Sequence, residues 1–376
     1  MGKEKLTVCF LGSAESIHTL KWAKYFAEEK HEVHLISYAP LLKNYGLGNI
    51  KLHLLEKKFS TELWPFNTLL NLPFNLLRVK KLIKEIKPDI MNAHYVSSYG
   101  TLASLLGFYP LIITAWGSDI LVTPQNFLPS KWAIKYALSK ADLITCDAEH
   151  MKKEMIKLGA NPSKIKIINF GIDTKLFIPG PKDEKFKKNL GITNEKIIIS
   201  LRSLDPIYDI KTLIKSVVPV LKEQHEIKFI IAGKGPQEKE LKDFAEELNI
   251  SKNIKFIGFI SNEELPKYLR LADIYVSTSL SDAGISASTS EAMACGVPVV
   301  VTDTGENEKW IDSGKNGFII PVKQPEILAE KIIYLLKNEN TRKEFGEKSR
   351  KIIEERNDYY KEMEKIENIY YKLIKK

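Results

Sequence analysis

Short apolar runs alternate with amphipathic stretches along the whole chain, and this alternation limits what the chain can fold into. Leu6–Leu11 reads as a strand, His18–Lys30 as a helix and Glu32–Ser37 as a strand. Leu76–Lys87 carries apolar residues at Leu76, Val79, Leu82, Ile83 and Ile86, the three-and-four spacing of a buried helical stripe, and Pro88 ends it. Asp89–Ala93, Leu111–Thr114, Leu143–Thr145 and Lys166–Ile168 follow as strands. Strands separated by helices of about 10–15 residues imply βαβ units and parallel sheets. After the turn-rich Phe177–Pro181 the pattern restarts. The new strands are Lys196–Ser200, Lys228–Ala232, Ile254–Ile257, Ile274–Ser277 and Val297–Val301, with helices between them at Lys211–Leu221, Gln237–Leu248, Asn262–Leu271 and Ser290–Cys295. Two doubly wound α/β halves are the expected architecture, with a helical tail over Pro325–Lys376.

The chain carries 56 Lys+Arg and 47 Asp+Glu, a net charge of +9. Residues 1–178 hold 23 basic and 15 acidic groups, a net of +8; residues 179–376 hold 33 and 32, a net of +1. An excess of this kind suits a nucleic acid or an anionic membrane. No nucleic-acid recognition motif is present, so that partner is not expected. No apolar run approaches the roughly 18 residues of a membrane span, and the N-terminal run is too short for a signal peptide. Gly2 is followed by Leu6 where a myristoylation site needs Ser or Thr. Cys9, Cys146 and Cys295 form neither a disulfide framework nor a zinc pattern. A cytoplasmic protein is expected, with a peripheral location on the inner face of the cell membrane as the further expectation. Residues 57–87, with seven basic and two acidic groups among Leu63, Trp64, Phe66, Leu69 and Leu70, have the composition of an interfacial segment.

Ligands of open α/β sheets bind beyond the carboxyl ends of the strands, so the residues just after each strand are the candidates. Gly12, Ser13 and His18 follow the first strand; G-x-G-x-x-G is absent, which disfavours a nicotinamide site. His94 follows the strand Asp89–Ala93, and Trp116 with Asp119 follows Leu111–Thr114. Arg202 follows Lys196–Ser200, where a guanidinium could grip a diphosphate bidentately. Gly233-Lys234-Gly235 reads as a turn, and Phe256-Ile257-Gly258-Phe259 offers backbone edges and an apolar wall to a nucleobase. The stretch Ser281–Val300 is a small-residue loop running into a short helix. Its backbone N–H groups and dipole suit a phosphate, and Glu291 suits ribose hydroxyls.

These segments together resemble the retaining family-four (group 1) glycosyltransferases of the GT-B fold. The resemblance rests on Gly12, His18–Ala23, Pro88–His94, Asn169–Asp173 and above all Glu291-Ala292-Met293-Ala294-Cys295-Gly296-Val297-Pro298-Val299-Val300. It implies two Rossmann-like domains facing a cleft. An acceptor-side domain would cover 1–178 plus about 356–376, and a nucleotide-sugar domain 179–355, with the last helix crossing back. It also implies donor contacts from Arg202 to the diphosphate, from Gly284, Ile285 and Ser286 to phosphate and sugar, and from Glu291 to ribose. Gly12, Ile257 and Asp282 are further donor-side candidates. Ser13, His18 and Trp116 are acceptor- or sugar-side candidates, and His94 and Asp119 would orient the sugar. Three positions depart from the family pattern: Asp282-Ala283 where a Glu is usual, Tyr208 where a Lys is usual, and Trp116 in place of His.

The expected activity is sugar transfer from a nucleotide-sugar to an acceptor hydroxyl, saccharide or lipid-linked, with retention at the anomeric carbon, in polysaccharide, glycolipid or glycan assembly. D-x-D is absent, so neither a metal nor another cofactor is expected. A nucleotide-sugar epimerase and a non-catalytic nucleotide-sugar-binding protein are the alternatives.

Overall fold

The computed structural model describes residues 4–42, 45–55, 66–126, 128–282 and 284–375, and these divide into two compact units. The first spans residues 1–170 and 361–376, and the second spans 171–360.

In the first unit seven parallel strands lie in the order β3-β2-β1-β4-β5-β6-β7. They are β1 (Thr7–Leu11), β2 (Glu32–Ser37), β3 (Ile50–Leu54), β4 (Ile90–His94), β5 (Leu111–Thr114), β6 (Leu143–Cys146) and β7 (Ile165–Ile167). The central strands are apolar on both faces because helices cover both; Val8, Phe10, Leu35, Ile36, Ile112 and Ile144 are fully buried. The chain's last helix, Tyr359–Ile374, gives residues 361–374 to this unit. Tyr370 stacks on Phe26 at 4.8 Å and accepts a hydrogen bond from Asn92 Nδ2 at 2.6 Å. Glu367 accepts from Tyr25 at 3.2 Å and pairs with His31 Nε2 at 3.1 Å.

In the second unit six parallel strands lie in the order β10-β9-β8-β11-β12-β13. They are β8 (Lys196–Ser200), β9 (Ile227–Ala232), β10 (Ile254–Gly258), β11 (Ile274–Ser277), β12 (Val299–Thr302) and β13 (Gly317–Ile320). One core joins Ile198, Phe229 and Val276 of the sheet to Leu213 and Val217 of the helix Ile210–Glu223. In both sheets the strand order reverses once, between β1 and β4 and between β8 and β11. Those two points open crevices at the carboxyl ends of the strands.

The division between units differs from the expected one at residue 178. Gly171–Phe177 is held by the second unit. Ile172 N–H donates to Asn357 O (2.8 Å), Tyr359 N–H donates to Ile172 O (2.9 Å), Phe177 is buried, and Arg350 donates to the carbonyls of Thr174, Phe177 and Ala294. Gly171 has φ +72°, and a Cβ there would lie 2.6 Å from the Tyr359 Cα. The helix 66–86 starts earlier than expected and contains Pro73; residues 57–65 of the basic segment 57–87 lie outside the described residues.

Gly171→Ala is expected to destabilise the protein by about 3 kcal/mol or more, because strain and backbone overlap combine. Gly191→Ala, also left-handed (φ +68°) but with open space at its Cβ, is expected to cost about 1 kcal/mol. Urea unfolding of the two variants measures the difference.

Candidate active site

In the second unit the reversal point is built around Arg202, the second residue after β8. The loop after β9 crosses directly over it. A Cβ at Gly233 would meet the Arg202 carbonyl oxygen at 2.2 Å, and one at Gly235 would meet the Leu204 carbonyl at 2.4 Å. Leu204 N–H donates to Lys234 O (3.0 Å) and Gln237 N–H to Leu204 O (3.1 Å). So the Gly-Lys-Gly turn is what fixes the backbone that carries the arginine.

The Arg202 side chain is 8% exposed. Its Nη2 donates to Asp282 Oδ1 at 2.5 Å, and its guanidinium carbon lies 4.3 Å from the centroid of the Tyr208 ring. Its Nε is buried without a hydrogen-bond partner. Tyr208 is held over it by bonds to the loop after β11: Thr278 Oγ1 donates to the carbonyls of Tyr208 and Asp209 (3.0 Å each), and Leu280 N–H donates to Ile207 O (2.8 Å). Under the same loop Gly305 takes φ +61°, and a Cβ there would meet Gly284 O at 2.4 Å.

The short helix Ala287–Ala294 begins earlier than expected. Ser286 is its N-cap, and its Oγ accepts from Thr289 N–H at 3.2 Å. Glu291 therefore lies in the second turn rather than the first, and is 7% exposed. Tyr275 and Ser288 share a hydroxyl–hydroxyl bond of 2.8 Å that ties the helix start to β11. Ile285 is buried beside it. The structure thus brings Arg202, Tyr208 and Asp282 into one cluster, with Gly284–Ser286 and Glu291 continuing the same chain segment. Ile257 lies on β10, two strands from β8, next to the irregular register at Phe256–Gly258.

The first unit's reversal point is aromatic. His18 stacks on Trp116 (centroids 4.6 Å, 20°), and Trp22 meets both Trp116 (5.9 Å) and His94 (5.2 Å) edge-on. His94 Nδ1 bonds Thr19 Oγ1 at 3.2 Å. His94 Nε2, Trp22 Nε1 and Trp116 Nε1 are buried without partners.

Three expectations change here. His94 is fully buried, so it is not presented as a catalytic side chain. Asp119 is 1% exposed, and its oxygens accept from the N–H groups of Val96 (2.8 Å), Trp116 (3.1 Å) and Gly117 (3.0 Å); it positions two loops instead of facing a sugar. Burial raises its pKa while those backbone bonds oppose the rise. Gly12 makes room for the chain's own packing, since a Cβ would lie 2.7 Å from Thr19 Cγ2 and 3.3 Å from His94 Cβ. Ser13 Oγ accepts from Glu15 N–H at 3.3 Å. Tyr95 takes φ +70° and opens a π-helical turn over Tyr95–Gly100, a feature with no local sequence signal. Such turns recur at functional sites.

Comparison with known proteins bears on both units. A family profile described as "Glycosyl transferases group 1" matches residues 181–352, and one described as "Glycosyl transferase 4-like" matches residues 7–148. The chain belongs to the group 1 glycosyltransferases. Among relatives of this glycosyltransferase is N-acetyl-alpha-D-glucosaminyl L-malate synthase of Bacillus anthracis, 24% identical over 94% of this chain and 92% of the relative. Another is D-inositol 3-phosphate glycosyltransferase of Corynebacterium glutamicum, 28% identical over 70% and 68%. A glycosyltransferase from Rickettsia africae has a similar structure, with a TM-score of 0.83, 19% identity and coverage of 99% of this chain and 100% of that one. Anabaena Alr3699/HepE, solved with UDP-glucose, gives a TM-score of 0.77 at 20% identity over 98% and 100%. The fold of this glycosyltransferase is GT-B, as expected from its sequence.

The aromatic cluster makes acid stability depend on its histidines. Burial, then the neighbouring His18, lowers the pKa of His94 from 6.5 to about 3; burial, then Lys21, lowers that of His18 to about 4. In the unfolded chain both histidines take up protons near 6.5. The stability they contribute is therefore complete above about pH 6.5 and is lost as pH falls toward the folded values. His94→Gln is expected to flatten the acid limb of the stability curve by about 1.4 kcal/mol per pH unit between about pH 6.5 and 4. Urea unfolding at a series of pH values measures that slope.

Proposed function

We propose that the enzyme transfers a hexosyl group from a nucleotide-sugar to an acceptor hydroxyl with retention at the anomeric carbon, in glycolipid or polysaccharide assembly. The observation that carries this reading is Arg202: a buried guanidinium at a strand-reversal point, with its Nε–H unpartnered and its charge balanced, among the described residues, by the Asp282 carboxylate. A buried cation held this way suits exchange of one anion for another, and a diphosphate offers the bidentate geometry that arginine prefers. In this reading Asp282 releases Arg202 when the donor binds, and Tyr208 keeps the guanidinium in plane. These two residues take the place of the Glu and Lys usual in the family.

The backbone of Gly284–Ser286 and the helix that Ser286 caps supply further N–H groups to the phosphates. Glu291 receives the ribose hydroxyls, and Ile257 borders the base. Acceptor recognition falls to the first unit, through Ser13, His18 and Trp116. Transfer breaks the bond from C1 to the phosphate oxygen, whose electron pair stays on the nucleoside diphosphate. The acceptor oxygen bonds to C1 on the same face, and its proton passes to a departing phosphate oxygen. The charge that builds on the diphosphate meets Arg202 and backbone N–H groups without a metal ion. Each well-placed donor of this kind contributes about 3–4 kcal/mol. The acceptor is read as lipid-linked because the first unit is basic and the helix 66–86 exposes Phe74 and Leu77 beside Arg78 and Lys81.

Thermal shifts with UDP-, GDP-, ADP- and CMP-sugars identify the donor; the Anabaena protein's UDP-glucose makes UDP-sugars the first to try. A donor at 100 times its Kd is expected to add about 2.7 kcal/mol of stability. With that donor, Arg202→Ala is expected to lower nucleoside diphosphate release at least about a hundredfold, and EDTA is expected to leave the wild-type rate unchanged. Full activity of the variant, or an inverted anomer in the product by NMR, contradicts the reading.

A further inference from the structure

We propose that the outward face of the helix Leu128–Lys140 is a docking surface for an anionic lipid bilayer. The helix buries one stripe, Ile134, Ala137 and Leu138, against its own unit. The opposite side presents Trp132, 74% exposed, and Tyr136, 42% exposed, one helical turn apart. Among the described residues Trp132 and Phe259 are the most exposed large apolar side chains, and Trp132 has a second exposed ring beside it. Lysines accompany both rings: Lys135 Nζ lies 5.7 Å from the Trp132 ring and Lys140 Nζ 5.4 Å from the Tyr136 ring, and Lys131 is exposed beside them.

The charge around this face is one-sided over a long stretch. Between Ile90 and Ala141 the sequence holds a single acid, Asp119, and its basic residues are Lys131, Lys135 and Lys140. Asp119 is buried with its oxygens committed to backbone N–H groups. Every formal charge that this stretch shows to solvent is therefore a lysine, and the partner must be anionic. A second copy is a poor fit, because a two-fold contact through this face would set these lysines against their own counterparts.

Headgroups of an anionic leaflet match the pattern. Trp and Tyr place an apolar ring and a polar edge at the level of the headgroups, and lysine stems lie along apolar surface while the ammonium reaches phosphate. Among the described residues no helix is long and apolar enough to cross a membrane, so contact of this kind lies on the surface. The proposal deepens the reading of a lipid-linked acceptor, since it brings the acceptor-side unit to the membrane.

The test is co-sedimentation of the full chain with phosphatidylcholine vesicles, with and without phosphatidylglycerol. Binding is expected only to the anionic vesicles and only at low salt. Replacing Lys131, Lys135 and Lys140 by Gln is expected to lower the partition coefficient on the order of a hundredfold. Trp132→Ser with Tyr136→Ser is expected to lower it at least about tenfold. Both variants should keep the wild-type melting temperature and the wild-type stabilisation by UDP-glucose or whichever donor the panel selects. The proposal is overturned if the wild type ignores anionic vesicles, or if these variants bind as the wild type does while Leu77→Ser with Arg78→Gln does not. A solution dimer lost in Trp132→Ser, without vesicle binding, also overturns it. Vesicle binding that depends on this face, with no sugar passed to any lipid, supports the surface and rejects the lipid-linked acceptor.

Discussion

A guanidinium taken out of water has to be neutralised where it lies, and the second unit is organised by that requirement. Arg202 stands at the point where the order of the parallel strands reverses, so no neighbouring crossover fills the space beyond it. Burying its charge without a partner would cost several kcal/mol. Asp282, from the loop after β11, supplies the counter-charge, and Tyr208 covers the guanidinium plane. Glycines at 233, 235 and 305 let neighbouring loops approach to distances that no side chain would permit. The cation and its close-packed loops form one cluster, in which the Arg202 Nε is a buried donor without a protein partner.

The first unit solves the same topological problem without charge. Its reversal point is filled by His18, Trp22, His94 and Trp116, with both histidines held neutral by burial. Asp119 lies behind this cluster and draws the turns at Val96 and Trp116–Gly117 together. The unit's net charge is therefore a property of its surface, not of its crevice. This division suits a donor gripped by one buried cation and an acceptor met by rings, with surface lysines available to an anionic interface.

Much of this architecture was legible in the sequence. Glu32–Ser37, Leu111–Thr114, Lys196–Ser200 and Ile274–Ser277 occur as strands with the bounds read from their apolar runs. These runs are clear because parallel strands are buried on both faces. The edge strand Ile50–Leu54 was missed; its alternation of Ile50, Leu52 and Leu54 with Lys51 and His53 is a period-two signal, but a short one. Arg202 stood out by its place after a strand, whereas the part played by Gly233 and Gly235 was hidden. A glycine pair reads as a local turn, and the carbonyls it accommodates belong to residues about thirty positions away. Asp119 and His94 were misread for a related reason: position after a strand marks a residue as near the crevice, but only packing decides whether its side chain faces it. The left-handed Tyr95 and its π-helical turn follow from tertiary constraint and left no local trace.

In the proposed reaction a donor diphosphate takes the place of Asp282 on Arg202. A crystal structure with the nucleoside diphosphate of the preferred donor tests it most directly. Phosphate oxygens are expected within hydrogen-bonding distance of the Arg202 guanidinium, with the Asp282 carboxylate moved away and Tyr208 still stacked. A diphosphate bound elsewhere, with the Arg202–Asp282 pair intact, would contradict it.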